Sequence, residues 1–203
     1  IMTAALGPID QRSFTACGFT PQEHLLLMGR SIDPTSPSSR WTGRTPGCPR
    51  TRPARRRDRD AVLELDDRAF TPFSPFWRLD GTALEEAGQA TQSHRRRVVQ
   101  QRATGRTAAK MIGHSITGRT ATIGFLQRLA VDPTAEGRGI GSALVVDALH
   151  WLRRTGAHEV WVNTQPDNDR ARALYLRHGF TERDGGLDVL HRVIDDPVGE
   201  PVG

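Results

Sequence analysis

Gly137, Gly139 and Gly141 stand two residues apart, shortly after Leu129-Ala-Val-Asp-Pro133 and running into Ile140-Gly-Ser-Ala-Leu144. An apolar strand end, a turn at Asp132-Pro133 and glycines at the mouth of a helix make a cradle for an anion. Glycine lets the backbone approach closely, and a helix N-terminus presents N–H groups that have no partner within the helix. Two common phosphate loops fail on spacing. The loop of nucleotide triphosphatases needs Gly-Lys-Ser/Thr, but Ser142 follows Gly141 directly and the chain's one lysine is Lys110. The dinucleotide fingerprint needs Gly-x-Gly-x-x-Gly, and the third glycine here is one residue early.

A second segment narrows the choice. Val160 to Gln165 reads as a buried strand, Pro166-Asp-Asn168 as a polar turn, and Asp169 to His178 as a helix that Gly179 ends. Asn168-x-x-Ala171-x-x-Leu174-Tyr175-x-x-x-Gly179-Phe180 and the glycine loop, in this order and separated by a helix and a strand, resemble the two hallmarks of the GNAT N-acetyltransferases. The look is nearest to the ribosomal-protein-alanine N-acetyltransferase type. The resemblance covers about residues 50–194.

The resemblance implies an α/β (α+β) GNAT fold: a mixed sheet of about six to seven strands, splayed at the acyl-CoA site and flanked by four helices. It implies acetyl-CoA as acyl donor and no metal. Leu129, Ala130 and Val131 would pair with the pantetheine through their backbone, and Glu136, Gly137, Arg138, Gly139, Ile140, Gly141 and Ser142 would hold the pyrophosphate. Asn168 would contact the cofactor or cap the following helix. Tyr175, the only tyrosine, falls where the family places the acid that protonates the departing thiolate; a phenol of pKa near 10 is protonated at neutral pH. The alternative is a ring that merely packs in the core. Glu136 departs from the family's Arg or Gln, with Arg138 beside it as the candidate compensating charge. Asn163 falls where the ribosomal-protein type carries a glutamate, so the general base is open among His114, Gln127 as a water holder, and Asp132.

The elements that must position these groups follow from periodicity. A short strand is expected near Arg50, helices over Asp58 to Phe70 and Asp80 to Ala90, and strands over His94 to Arg102, Lys110 to Thr117 and Thr120 to Val131. A helix from Gly137 to Thr155 follows. After the tyrosine helix, Phe180 to Asp184 and Leu187 to Ile194 read as a hairpin about Gly185-Gly186. Phe70 to Trp77, rich in aromatics, is a candidate wall of the acceptor pocket, with packing on the sheet as the alternative. Residues 1–48 are rich in Pro, Ser, Thr and Gly and read as a poorly ordered or loosely packed extension, with a helical turn at His24 to Met28. Residues 49–195 form the domain and 196–203 a tail.

Charge and composition bound the partners. The net charge is +5, carried almost wholly by arginine. Arg55-Arg-Arg57 and Arg95-Arg-Arg97 have no interleaved aromatics, which argues against a nucleic-acid platform. No apolar run reaches membrane-span length and no signal peptide is visible, so a cytoplasmic protein, monomer or homodimer, is expected. The function implied is transfer of an acetyl group to a primary amine of a small molecule or protein N-terminus by direct attack. The alternatives are a non-catalytic acyl-CoA-binding regulatory module and a ribosome- or RNA-associated protein using the arginine clusters.

Overall fold

A computed structural model describes residues 3, 7, 9–33, 50–71, 78–101 and 109–193. In chain order these form α1 (Gln11–Ala16), β1 (Thr20–Ser31), β2 (Thr51–Pro53), α2 (Arg59–Phe70), α3 (Gly81–Gln89), β3 (Ser93–Gln101), β4 (Lys110–Thr120), β5 (Ile123–Val131), α4 (Ile140–Arg154), β6 (Glu159–Thr164), α5 (Asp169–Arg177) and β7 (Thr181–His191). The seven strands make one open sheet in the order β2-β3-β4-β5-β6-β1-β7. Its one parallel pair is β5–β6; the other neighbours run antiparallel.

Two helical layers cover the sheet. Val62 and Leu65 of α2 and Leu84 of α3 pack on Val98, Met111 and Ile116. On the other face α4 buries Val145, Ala148, Leu149 and Leu152 against Leu126, Val160 and Val162, and Tyr175 of α5 joins the same cluster. The four-residue apolar spacing of α4 supplies this stripe. Gly113 and Gly124 let the helix approach, since a Cβ on either would lie 2.6 Å from Ile140 Cγ2 or Leu152 Cδ2.

The structure corrects the sequence reading in several places. The sequence pattern places residues 1–48 loosely outside the domain, with a helical turn at His24 to Met28. Instead β1 runs through that stretch and pairs with β6 from Leu26–Thr164 to Ser31–Glu159 and with β7 on its other edge. Gly185-Gly186 is not a hairpin turn: both lie inside the single strand β7 with φ of 86° and 55°. There β7 carries two more residues than β1 between the pairs Leu25–Leu187 and Leu27–Arg183. The turn expected at Gly118-Arg119 lies instead at Ala121-Thr122. Among the described residues the four expected helices are present as α2 to α5, joined by the six-residue α1. The 72–77 segment and the 196–203 tail fall outside the described residues.

Candidate active site

β5 and β6 are paired only from Ile123–Glu159 to Phe125–Trp161. Past that point they part, while β5 remains paired with β4 on its other side as far as Gly113–Val131. The edge of Leu126 to Val131 that faces β6 therefore borders a gap rather than a ladder. Two cavities fill that gap and share Phe70, Leu129, Asn168, Ala171 and Tyr175. The outer one, about 640 Å³, takes in Leu129 to Val131, Glu136, Gly137, Gly139 to Ser142 and Arg170. The inner one, about 310 Å³, lies among Leu25, Leu126, Val162, Asn163, Thr164 and Gln165.

The outer cavity ends on the start of α4. Gly139 takes the N-cap position in the left-handed region (φ 74°), and no side chain caps this end. Gly137 is left-handed too (φ 71°), and neither glycine has any atom within 4 Å of where a Cβ would stand. The first-turn N–H groups of α4, which have no acceptor inside the helix, thus open onto a bare backbone surface. That arrangement fits a diphosphate. The helix starts three residues later than the sequence suggests because Glu136 to Gly139 are spent on the loop.

Glu136 does not stand unpaired beside this cradle. Its carboxylate accepts from the Arg170 guanidinium of α5 across the cavity. The sequence points to Arg138 as the compensating charge; that side chain instead reaches toward Gln101 Oε1 at 3.5 Å. Among the predicted cofactor-binding residues, Arg138 alone does not line either cavity. Asn168 Oδ1 accepts from Ala171 N at 3.0 Å, capping α5 while also facing both cavities.

Tyr175 is 5% exposed, packs its ring 5.7 Å from that of Phe180, and borders both cavities where they meet. Burial pushes its phenol above the ordinary value. It belongs to the core by packing and to the cleft by position, so the two readings of this residue are compatible.

Of the three candidates for a base, His114 and Asp132 are tied elsewhere, whereas Gln127 lines the inner cavity with its Oε1 unpartnered. His114, 1% exposed, places its Nε2 2.9 Å from Asp66 Oδ1 and lines neither cavity. The Gln127 amide nitrogen donates to Ala87 O of α3 at 3.0 Å. Asp132 caps the turn through Thr134 N and pairs with Lys110 at 2.9 Å and Arg68 at 3.3 Å. Burial alone would raise its carboxyl, but the bonds from Thr134 and Lys110 outweigh that and hold it far below the usual range.

Several groups escaped the sequence reading. Asp66, fully buried on α2, receives Arg128 Nε at 2.9 Å as well as a second Arg128 nitrogen and His114. Arg128 in turn lies over the Phe70 ring, 3.5 Å from its centroid. Burial would raise the Asp66 carboxyl; the His114 and Arg128 hydrogen bonds and the Arg128 charge lower it overall. This network anchors β4 and β5 to α2 at the inner cavity's rim, and nothing in local spacing signals it. Of the arginine clusters, Arg95 and Arg97 are turned onto Asp147 of α4 at 2.8 and 3.1 Å, which removes them from an open basic face. Among the described residues no three His, Cys, Asp or Glu side chains converge as metal ligands, and no helix is long and apolar enough to cross a membrane.

Comparison with known proteins gives a consistent picture. The family model described as "Acetyltransferase (GNAT) family" matches residues 59–180, more than half the chain. A mycothiol acetyltransferase of Beutenbergia cavernae is 48% identical over 61 residues, 30% of this chain and 20% of that protein. Another, of Actinosynnema mirum, is 30% identical over 128 residues, 62% of this chain and 41% of that protein. The chain thus spans less than half the length of these relatives. In fold it resembles the ribosomal-protein-S18-alanine N-acetyltransferase from Escherichia coli, with a TM-score of 0.55 at 21% identity over 70% of this chain and 89% of that one.

Proposed function

Because the chain belongs to the acetyltransferase (GNAT) family, we propose that it transfers the acetyl group of acetyl-CoA to a primary amine by direct attack, with the splayed β5–β6 cleft as its active site. The observation that carries this reading is the continuity of the cleft, from the bare α4 N-terminus to Tyr175 and on into a polar inner cavity. Bound acetyl-CoA supplies an activated thioester whose leaving group is a thiolate.

The chain's own groups divide the work. Backbone N–H groups from Gly137 to Ser142 hold the diphosphate, aided by the positive end of α4. Main-chain groups of Leu129 to Val131 on the open edge of β5 align the pantetheine arm. Asn168 keeps the first turn of α5 in register with the cleft, and so fixes where Tyr175 stands. The Tyr175 hydroxyl holds its proton at neutral pH, more firmly for being buried, and passes it from Oη to the departing sulfur. The inner cavity receives the acceptor among Gln127, Arg128, Asn163, Thr164 and Gln165, and among the described residues that line it there is no carboxylate. The amine therefore enters as its free base and sheds its proton to water after attack.

The acceptor is a small molecule or a protein N-terminus. The sequence relatives, named mycothiol acetyltransferases, favour the small molecule. Calorimetric titration with coenzyme A, followed by thiol release against a panel of primary amines, tests the proposal. Tyr175→Phe is expected to keep coenzyme A affinity and lower turnover by about 10²-fold or more. Absence of coenzyme A binding would sink the reading, and undiminished turnover in Tyr175→Phe would remove the acid role.

A further inference from the structure

The family match begins at Arg59, so β1 lies wholly outside it, yet β1 is an interior strand of the sheet. Its position bears on the inner cavity. The β1–β6 ladder opens at Leu26–Thr164. Leu25 is therefore the first residue of β1 to run past the end of β6, where the β5–β6 gap is open. Leu25 is 2% exposed and forms part of the inner cavity wall, with Phe70, Leu126 and Val162.

Leu25 is also held from behind. The two extra residues of β7 are accommodated opposite Leu25 and Leu26, and Gly186 brings the β7 backbone hard against this point. A Cβ on Gly186 would stand 2.6 Å from the Leu25 carbonyl oxygen. With β6 pairing from the next residue and β7 pressed against it, Leu25 has no slack to retreat before a bulky ligand. Leu27, two residues on, lies outside the cavity wall and is only half-buried.

We propose that Leu25 is a specificity-determining residue: a strand outside the family's shared core supplies the wall that limits how bulky an acceptor amine can be next to its nitrogen. This rests on the reading of the cleft given above, with coenzyme A in the outer cavity and the acceptor in the inner one. On this basis the protein takes amines carried on a slender carbon and rejects those with a large substituent at that carbon. The rejection is steric, imposed by a backbone-braced side chain.

The test uses conjugates in which the coenzyme A sulfur is joined through an acetyl carbon to the nitrogen of glycinamide or phenylalaninamide, titrated calorimetrically into the full chain. Binding is read directly, so the result does not depend on finding the natural acceptor. The wild type is expected to prefer the glycinamide conjugate. Leu25→Ala is expected to shrink that preference by about tenfold or more, the scale on which pockets sort hydrocarbon bulk. Leu27→Ala should leave it unchanged, and the affinity of plain coenzyme A should stay within about twofold in both variants. Thermal unfolding of each variant establishes that it is folded, and Leu25→Val, a smaller truncation, replaces Leu25→Ala if the latter is not. An unchanged preference in the folded Leu25 variant, or an equal change in Leu27→Ala, overturns the inference while leaving the coenzyme A reading intact. Failure of the wild type to bind plain coenzyme A overturns both.

Discussion

Replacing Glu136 by Gln removes a negative charge from the rim of the proposed diphosphate cradle and releases the Arg170 guanidinium that it holds. Both effects favour an incoming anion. The carboxylate is only partly exposed (37%), whereas Arg170 stands 78% exposed at the start of α5. Two unit charges about 8 Å apart interact by about 0.5 kcal/mol in water, which sets the scale for a carboxylate at the rim of an anion cradle. For the two charges of a diphosphate this is about 1 kcal/mol, or roughly a fivefold lower Kd for coenzyme A. The assay is calorimetry at about 0.02 M and about 0.5 M salt, because a Debye length near 4 Å at the higher value should erase most of the gain. Arg170→Ala should weaken binding, by exposing Glu136 to the ligand, and the double variant should return close to the wild type. Unchanged or weaker affinity in Glu136→Gln at low salt, or a gain indifferent to salt, would refute the electrostatic reasoning and mean that the carboxylate lies away from the ligand.

Two further outcomes test the frame around the site. Asp66→Asn takes the charge from a buried carboxylate that holds both Arg128 and His114; breaking such a pair costs about 3–5 kcal/mol. The melting temperature should fall by at least about 6 °C, and a shift under about 2 °C would show the network to be dispensable. Asp58, bonded by Arg52 and by Arg55 N, has its carboxyl lowered from 3.8 to about 2, chiefly by the Arg52 hydrogen bond. Its contribution to stability is complete above the unfolded value of 3.8 and disappears as pH falls toward about 2. Urea unfolding should therefore show wild type and Asp58→Asn converging below about pH 4, and a constant gap down to pH 2 would count against the pairing.

The parts of the site that could be read from sequence are those whose geometry is local. Gly139 must be left-handed to turn the chain into α4, and Asn168 must reach Ala171 N to start α5. Each requirement involves residues within a few positions of one another, so residue type and spacing express it directly. The surroundings of the base candidates were illegible for the opposite reason. His114, the Gln127 amide nitrogen and Asp132 meet Asp66, Ala87 and Lys110, which lie on other elements and are brought in only by folding. No spacing rule reaches across 48 residues from His114 to Asp66.

The two errors at the far end of the sheet have a single cause. β1 is buried on both faces from Met28 to Gly29 and carries Pro21 near its start, so it shows neither the alternation of a half-exposed strand nor a helical period. Its partners, β6 and β7, lie more than 120 residues further along the chain. Without β1, the stretch from Thr181 to His191 has no neighbour to pair with except itself, and Gly185-Gly186 with their positive φ then look like a hairpin turn. With β1 in place the same glycines serve another purpose, absorbing two surplus residues so that β7 can follow β1 past Leu25. The pair of glycines is thus legible as a backbone requirement but not as a topology. The strand that decides between the two also lines the inner cavity, so the proposed acceptor end of the site depends on the part of the chain whose sequence pattern is weakest.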